Sequence, residues 1–114
     1  MATFIDPPFK VERQGGEVRI DLSPLQVLHE AAVQQIREPL LSVVEDANDA
    51  FVSVSLKGVV YITSSMLETL IQLHRKLREG GGKLVLRHLQ PQVHEVFQVT
   101  KLDDLFEIQK DDAR

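Results

Sequence analysis

Three hydroxyl side chains stand together near the middle of the chain, at Thr63, Ser64 and Ser65. They follow an apolar, β-branched segment that is typical of a strand, and apolar residues at helical spacing come after them. The first turn of a helix has backbone N–H groups without intrahelical partners and the positive end of the helix dipole, so it accommodates an anion well. Hydroxyls at this position can either cap the helix or accept a phosphate group.

Capping is the more ordinary role for these hydroxyls. The sequence Ser65-Met66-Leu67-Glu68 fits the Ser-x-x-Glu capping box, which makes Ser65 with Glu68 the better cap. Phosphorylation is the functional alternative, and it would add roughly −1.5 to −2 charges and three acceptor oxygens. The helix N-terminus would accommodate that charge, whereas a partner docked there would meet both bulk and charge. The residue chemistry alone leaves the two roles open.

Other patterns that carry chemistry are sparse in this chain. The four histidines are dispersed and there is no cysteine, so we expect neither a metal site nor another cofactor. His74 is expected to be a partly buried packing residue of a helix. Ser64 and Ser65 lack the Gly-x-Ser-x-Gly context of a nucleophile elbow, and Gly80-Gly81-Gly82 lacks the Lys-Ser/Thr of a P-loop. We therefore expect the protein not to be an enzyme.

The length and net charge of the chain limit the classes of protein to which it can belong. A chain of 114 residues fits one domain. Seventeen acidic residues against thirteen Lys and Arg give a net charge of −4, which argues against a nucleic-acid partner. No apolar stretch approaches the roughly 18 residues that span a bilayer, and the N-terminus lacks the pattern of a signal peptide. These features predict a cytoplasmic protein without direct membrane insertion.

Hydrophobic periodicity predicts the elements that position the hydroxyls. Two alternating strands on either side of Gly15-Gly16 are expected to pair as an antiparallel hairpin, and helices then alternate with strands. The predicted elements are strands Phe9–Arg13 and Glu17–Leu22, helix Glu30–Asp46, strand Phe51–Leu56, helix Ser64–Glu79, strand Lys83–Arg87, a short helix from Pro91 and a last strand near Ile108. This order predicts an α/β fold, α+β by some definitions, with a mixed sheet and helices packed on it.

Two local expectations accompany this prediction. Pro39 lies inside the first helical pattern, where proline removes a hydrogen bond and clashes with the preceding turn at a cost of ~3 kcal/mol or more. We therefore expect the helix to be kinked or to restart at Pro39. The segment Lys57–Ile62 is expected to carry the chain over the sheet edge, with Val60 and Ile62 as its anchors.

The region around the hydroxyls resembles the central motif of STAS domains, the family of the anti-sigma factor antagonists. The matching segment is Val54-Ser55-Leu56-Lys57-Gly58-Val59-Val60-Tyr61-Ile62-Thr63-Ser64-Ser65-Met66-Leu67. The family motif is usually written Leu-(Ser)-x-Val-x-x-(Ile/Met)-Asp-Ser-(Ser/Thr)-Gly-Leu. The similarity continues through Gly81–Leu86, Pro91–Phe97 and Thr100–Ile108. It predicts a single STAS domain over residues 9–109. The chain ends are expected to form a flexible lead-in over residues 1–8 and a flexible polar tail over residues 110–114.

The resemblance implies the STAS (SpoIIAA-like) fold, with helices mainly on one side of the sheet, and a role in bacterial partner switching. In such a pathway the antagonist binds an anti-sigma factor that is also a serine protein kinase, and this frees a sigma factor for transcription. The kinase phosphorylates the serine after the motif aspartate, which ends binding, and a PP2C-type phosphatase resets the switch. The matching serine here is Ser64, but Thr63 replaces the motif aspartate, Met66 the motif glycine and Glu68 the next small residue.

The expected partner-binding surface combines the loop before the hydroxyls with the exposed side of the turn and helix. Its residues are Lys57, Gly58, Tyr61, Thr63, Ser64, Ser65, Met66, Glu68, Thr69 and Gln72. An alternative role in the same family is an interaction subunit of another assembly, such as a lipid-transport ABC complex, in which Ser64 is not phosphorylated. The oligomeric state stays open between a monomer and a weak dimer.

Overall fold

The computed structural model describes residues 9–47 and 50–109 and arranges them in alternating strands and helices. The elements are β1 (Lys10–Gln14), β2 (Glu17–Asp21), β3 (Val27–Leu28), α1 (Glu30–Asp46), β4 (Phe51–Ser55), β5 (Tyr61–Ile62), α2 (Ser64–Glu79), β6 (Lys83–Arg87), α3 (Pro91–Val99) and β7 (Glu107–Gln109). The predicted α/β class and the predicted order are confirmed, with β3 and β5 as additions. The predicted lead-in and tail lie outside the described residues.

Five of the strands form one mixed sheet in the order β1-β2-β4-β6-β7. The β1–β2 hairpin is antiparallel and turns at Gly15, whose φ of 60° favours glycine. The pairs β2–β4, β4–β6 and β6–β7 are parallel. Each parallel pair is connected through one helix, as parallel strands require.

One face of this sheet carries the hydrophobic core, and we call it the covered face. Ile20, Val54 and Leu86 are neighbours across three strands and are almost completely buried there. They belong to one apolar cluster with residues of all three helices, among them Ile36 and Leu70. Burying one such side chain contributes ~1.5–3 kcal/mol. The helices therefore pack on the covered face, and the opposite face, which we call the open face, carries mostly polar side chains.

Helix α1 runs without interruption through Pro39, so the expectation that it restarts at Pro39 is wrong. The buried residues Val33, Ile36, Leu40 and Val44 form one stripe that continues past the proline and contacts the core. Tertiary burial of this stripe outweighs the local cost of the missing hydrogen bond, because most helix stability in proteins comes from packing of the apolar face.

The segment before α2 differs from the prediction in one anchor. Ile62 is buried as expected, but Val60 is 45% exposed and the second buried residue is Val59. The reason is the short parallel ladder between β3 and β5, which the periodicity did not reveal. The Val60 N–H donates to the Gln26 carbonyl at 2.8 Å, so its backbone is held in this ladder while its side chain stays outside the core.

The end of α2 confirms the predicted glycine stop. Gly81 has a φ of 89°, in the left-handed region that favours glycine. The Gly82 N–H donates to the Leu77 carbonyl at 2.7 Å, and the Gly81 N–H donates to the Arg78 carbonyl at 3.1 Å. These two bonds form a Schellman motif, which satisfies carbonyl groups at the end of the helix and releases the chain into β6.

Candidate functional site

Thr63 is the N-cap residue of α2, and its backbone and side chain have different roles. Its carbonyl accepts the N–H groups of Met66 and Leu67, both at 3.1 Å. Its hydroxyl does not cap the helix but donates to the carbonyl of Leu28, at 3.0 Å, and so joins the turn to β3. The first N–H groups of α2 therefore have no side-chain acceptor at the cap, which is the condition under which a helix N-terminus accommodates an added anion.

The capping box predicted for Ser65 and Glu68 is wrong. Because the cap is Thr63, the third residue of the helix is Met66, which has no carboxylate to return to the cap. The Ser65 hydroxyl instead donates to Glu30 Oε1 at 2.5 Å, and the Glu68 side chain is exposed. Ser65 thus joins the first turn of α2 to the first turn of α1, and it holds a carboxylate beside the hydroxyls.

Ser64 is the first residue of α2 and is exposed. In contrast to Thr63 and Ser65, its hydroxyl has no hydrogen-bond partner within the described part of the chain. Of the three hydroxyls, Ser64 is therefore the one that another protein can reach without breaking an intramolecular contact.

The other residues of the predicted partner-binding surface differ in how exposed they are. Lys57, Tyr61 and Glu68 are exposed, whereas Gly58 and Gln72 are half-buried.

The expectation that Met66 and Thr69 lie on the exposed side is wrong, since they are 0% and 1% exposed. Met66 belongs to the hydrophobic core with Leu70, one helical turn later. The Thr69 hydroxyl donates back to the Ser65 carbonyl at 3.0 Å. Met66, at the position of the motif glycine, therefore packs in the core and adds no side chain to the surface of the first turn.

The loop at Lys57 and Gly58 is held from two directions. A Cβ atom on Gly58 would lie 2.6 Å from the carbonyl oxygen of Ser23, so only glycine fits this close approach of two backbones. Gln90 Nε2 donates to the Lys57 carbonyl at 2.5 Å and joins the loop to the N-cap of α3. The Lys57 side chain is therefore exposed on a fixed backbone.

An exposed group of apolar side chains borders this turn, and the sequence prediction found only part of it. We call Val27, Val60 and Tyr61 the apolar patch; they are 40%, 45% and 54% exposed. Val27 and Tyr61 are paired across β3 and β5, so this small ladder brings them together. Val27 was missed because a two-residue strand gives too short a pattern to recognise. Exposed apolar groups of this kind are typical of protein-binding surfaces, where tyrosine is enriched.

The prediction that His74 is a partly buried packing residue is confirmed. Its ring meets that of Phe106 edge to face, with ring centroids 5.6 Å apart. Burial lowers the pKa of His74, and the positive charges of Arg78 and Arg75 lower it further. Over residues 9–47 and 50–109, no group of three His, Cys, Asp or Glu side chains could hold a metal ion.

Comparison with known proteins gives a consistent result. A family model described as the STAS domain matches residues 27–113. The proposed anti-sigma factor antagonist BtrV of Bordetella bronchiseptica is 30% identical over 82 residues, which cover 72% of this chain and 70% of BtrV.

Solved structures agree with this match. The structure of an anti-sigma-factor antagonist (STAS) domain protein from Planctomyces limnophilus is 26% identical and aligns with a TM-score of 0.81, covering 91% of this chain and 90% of that one. The Bacillus cell fate determinant SpoIIAA in its phosphorylated form is 21% identical, with a TM-score of 0.69 and 90% of each chain covered, and this likeness supports the fold. Where the structure describes the chain, no helix is both long and apolar enough to cross a membrane.

Proposed function

The chain belongs to the STAS domain family, with anti-sigma factor antagonists among its relatives, and from this premise we propose a switchable binding function. In this proposal the protein binds an anti-sigma factor that is a serine kinase, and phosphorylation of Ser64 ends the binding. A PP2C-type phosphatase restores the binding form. The protein itself is non-catalytic, and the exchange takes place in the bacterial cytoplasm.

The observation that carries this proposal is the contrast among the three hydroxyls. Thr63 donates to Leu28, and Ser65 donates to Glu30, whereas Ser64 is exposed and has no partner among the described residues. Ser64 also opens a helix whose first N–H groups have no side-chain cap, so a phosphate would be accommodated there with little refolding.

The apolar patch supplies a docking surface beside this serine. Tyr61 lies two residues before Thr63, and the Thr63 hydroxyl fixes the turn to the carbonyl of Leu28, next to Val27. A partner that covers the patch and the first turn of α2 would exclude water from Ser64. A phosphate of roughly −1.5 to −2 charges there would then be desolvated inside the interface, which is unfavourable.

Glu30 supports recognition of the turn in the absence of the motif aspartate. Position 63 is a threonine, but the hydrogen bond from Ser65 holds the Glu30 carboxylate at the same turn. The turn therefore has one acidic group beside it, the Glu30 carboxylate, which belongs to α1.

The test is a binding titration with the anti-sigma serine kinase encoded nearest to this gene in its genome. Wild type and Ser64→Ala are expected to bind equally without ATP, and Ser64→Glu is expected to bind at least ~10-fold more weakly, because a charge would enter the interface. With ATP, intact-mass spectrometry should show one added phosphate on wild type and on the control Ser42→Ala, which removes an exposed serine hydroxyl of α1, and none on Ser64→Ala.

Equal affinity of wild type, Ser64→Ala and Ser64→Glu would contradict the switch. Full binding by Ser64→Glu, together with co-purification of a transporter ATPase and no phosphorylated form, would favour the role of a docking subunit in a lipid-transport ABC complex.

A further inference from the structure

The open face of the sheet contains a pocket of about 630 Å³ that the proposed switch does not use. It lies at the carboxyl ends of the parallel strands β2, β4 and β6. Lys10, Asp21, Ser55 and Arg87 are consecutive neighbours across four strands and all line it. Its volume is within the range of ~300–1,000 Å³ that is typical of small-molecule sites.

The floor of this pocket is buried, although no helix of residues 9–47 and 50–109 packs on the open face. Ser53 lines the pocket and is only 3% exposed, and its cross-strand neighbour Val85 is 2% exposed. Val85 is buried yet does not belong to the hydrophobic core cluster, which agrees with its place on the open face. The pocket therefore has a buried floor in the middle of the open face.

The charges around the pocket favour an anion. Arg19 is neutralised by Glu17, at 3.2 Å, but Lys10, Lys57 and Arg87 form no ion pair within the described ranges. Three cations thus converge on one concavity in a chain whose net charge is −4. Two acids, Glu12 and Asp21, also line the pocket, so its lining is mixed in sign. With Arg19 set aside, Lys10, Lys57 and Arg87 still outnumber these acids, and this local excess of positive charge favours an anion.

Asp21 is the acid within this row, and its carboxylate already has hydrogen-bond donors. The Ser23 N–H and hydroxyl both donate to Asp21 Oδ1, at 2.9 and 2.5 Å. Burial acts to raise the pKa of Asp21, but these hydrogen bonds and the charges of Lys10 and His88 lower it overall. Asp21 therefore has local partners for its charge and fixes the edge of the pocket.

Arg87 has the geometry of an anion receptor. Its Nε donates to Gln109 Oε1 at 2.6 Å, which orients the guanidinium group without cancelling its charge, because the glutamine is neutral. The planar guanidinium can then present its remaining N–H groups to a carboxylate or a phosphate.

We propose that this pocket binds a small anion that carries two or more separate carboxylate or phosphate groups. Arg87 binds one acidic group, while Lys10 and Lys57 bind the other from the β1 side and from the loop after β4. The hydroxyls of Ser53 and Ser55 are placed to hydrogen-bond polar groups of the ligand between the charges. The proposal rests on the open face alone and is independent of whether Ser64 is ever modified.

The experiment is a titration of the full chain, at constant ionic strength, with pyrophosphate and citrate. Inorganic phosphate is the reference, because it has a single acidic group. Two-dimensional ¹H–¹⁵N NMR should show saturable shifts at the Arg87 Nε–H signal and at the backbone of Ser55, with weaker binding of inorganic phosphate. Tighter binding of pyrophosphate would assign a phosphorylated ligand, and tighter binding of citrate would assign a polycarboxylate.

Variants that remove one positive charge then distinguish binding in this pocket from general electrostatic attraction of anions to the protein surface. Arg87→Gln and Lys57→Gln are each expected to weaken binding about 10-fold, since each removes a charge-assisted hydrogen bond. Lys76→Gln is the matched control, because it removes one positive charge at a surface residue paired with Glu45. Absence of saturable shifts with all three anions, or an equal loss of affinity in Lys76→Gln, would overturn the proposal.

Discussion

Ile20, Val54 and Leu86 form one row across the sheet, and Asp21, Ser55 and Arg87 form the next row on the opposite face. Successive residues of the same three strands therefore meet different surroundings. The first row is almost completely buried under the helices, whereas the second lines a charged pocket. A displacement of one residue along each strand separates the residues that stabilise the fold from the residues that can recognise a ligand.

This difference has a practical consequence for variants. A side chain removed from the covered face leaves a cavity that its packed neighbours cannot fill. A side chain removed from the open face leaves a gap that water can enter. We therefore expect stability to depend strongly on the covered face and weakly on the open face, with ligand binding in the reverse order.

The largest effect is expected from neighbouring truncations in β6. Leu86→Ala should lower the free energy of unfolding by ~2–5 kcal/mol, because Leu86 is 0% exposed and its loss creates a cavity. Arg87→Ala, one residue later, should cost less than ~1 kcal/mol. Urea denaturation of the two variants and wild type measures the difference, and equal losses would remove the distinction between the faces.

A smaller effect is expected from Asp21 on the open face. Asp21→Asn should lower stability at pH 7 by ~1–2 kcal/mol, because two hydrogen bonds to a charged carboxylate are weakened. The folded protein lowers the pKa of Asp21, so its contribution is present above the unfolded pKa of ~3.9 and is lost as the pH falls through the folded value.

Denaturation at a series of pH values from 7 downwards tests this prediction. The stability difference between wild type and Asp21→Asn should shrink below about pH 4. A difference that stays constant with pH would show that the carboxylate charge of Asp21 contributes nothing.

The smallest effect is expected from His74, on the helix side of the sheet. Its pKa is lowered in the folded protein, so the unfolded chain takes up a proton first as the pH falls below ~6.5. Wild type should therefore lose a little stability from that pH downwards, until the folded histidine is also protonated. His74→Gln should lack this slope in the same denaturation series, and an identical slope in both proteins would contradict the assignment.

The sequence by itself determined the order of the main helices and strands, because apolar alternation and helical periodicity are local properties of the chain. The stop of α2 at Gly80-Gly81-Gly82 and the start of α3 at Pro91 were predictable for the same reason, since their conformations depend on the residue itself. The position of the hydroxyl turn also followed from local pattern, and the family resemblance then pointed to Ser64.

Only the tertiary structure decided how the turn and the open face are used. Thr63 donates to Leu28, and Ser65 donates to Glu30, each across 35 positions of sequence. A capping box predicted from four neighbouring residues could not anticipate these distant acceptors. The apolar patch and the anion pocket likewise depend on strand register, which brings residues such as Val27 and Tyr61, or Asp21 and Arg87, onto one surface. The physical reason is the same in each case: these contacts form only when separate segments pack together, so no local pattern records them.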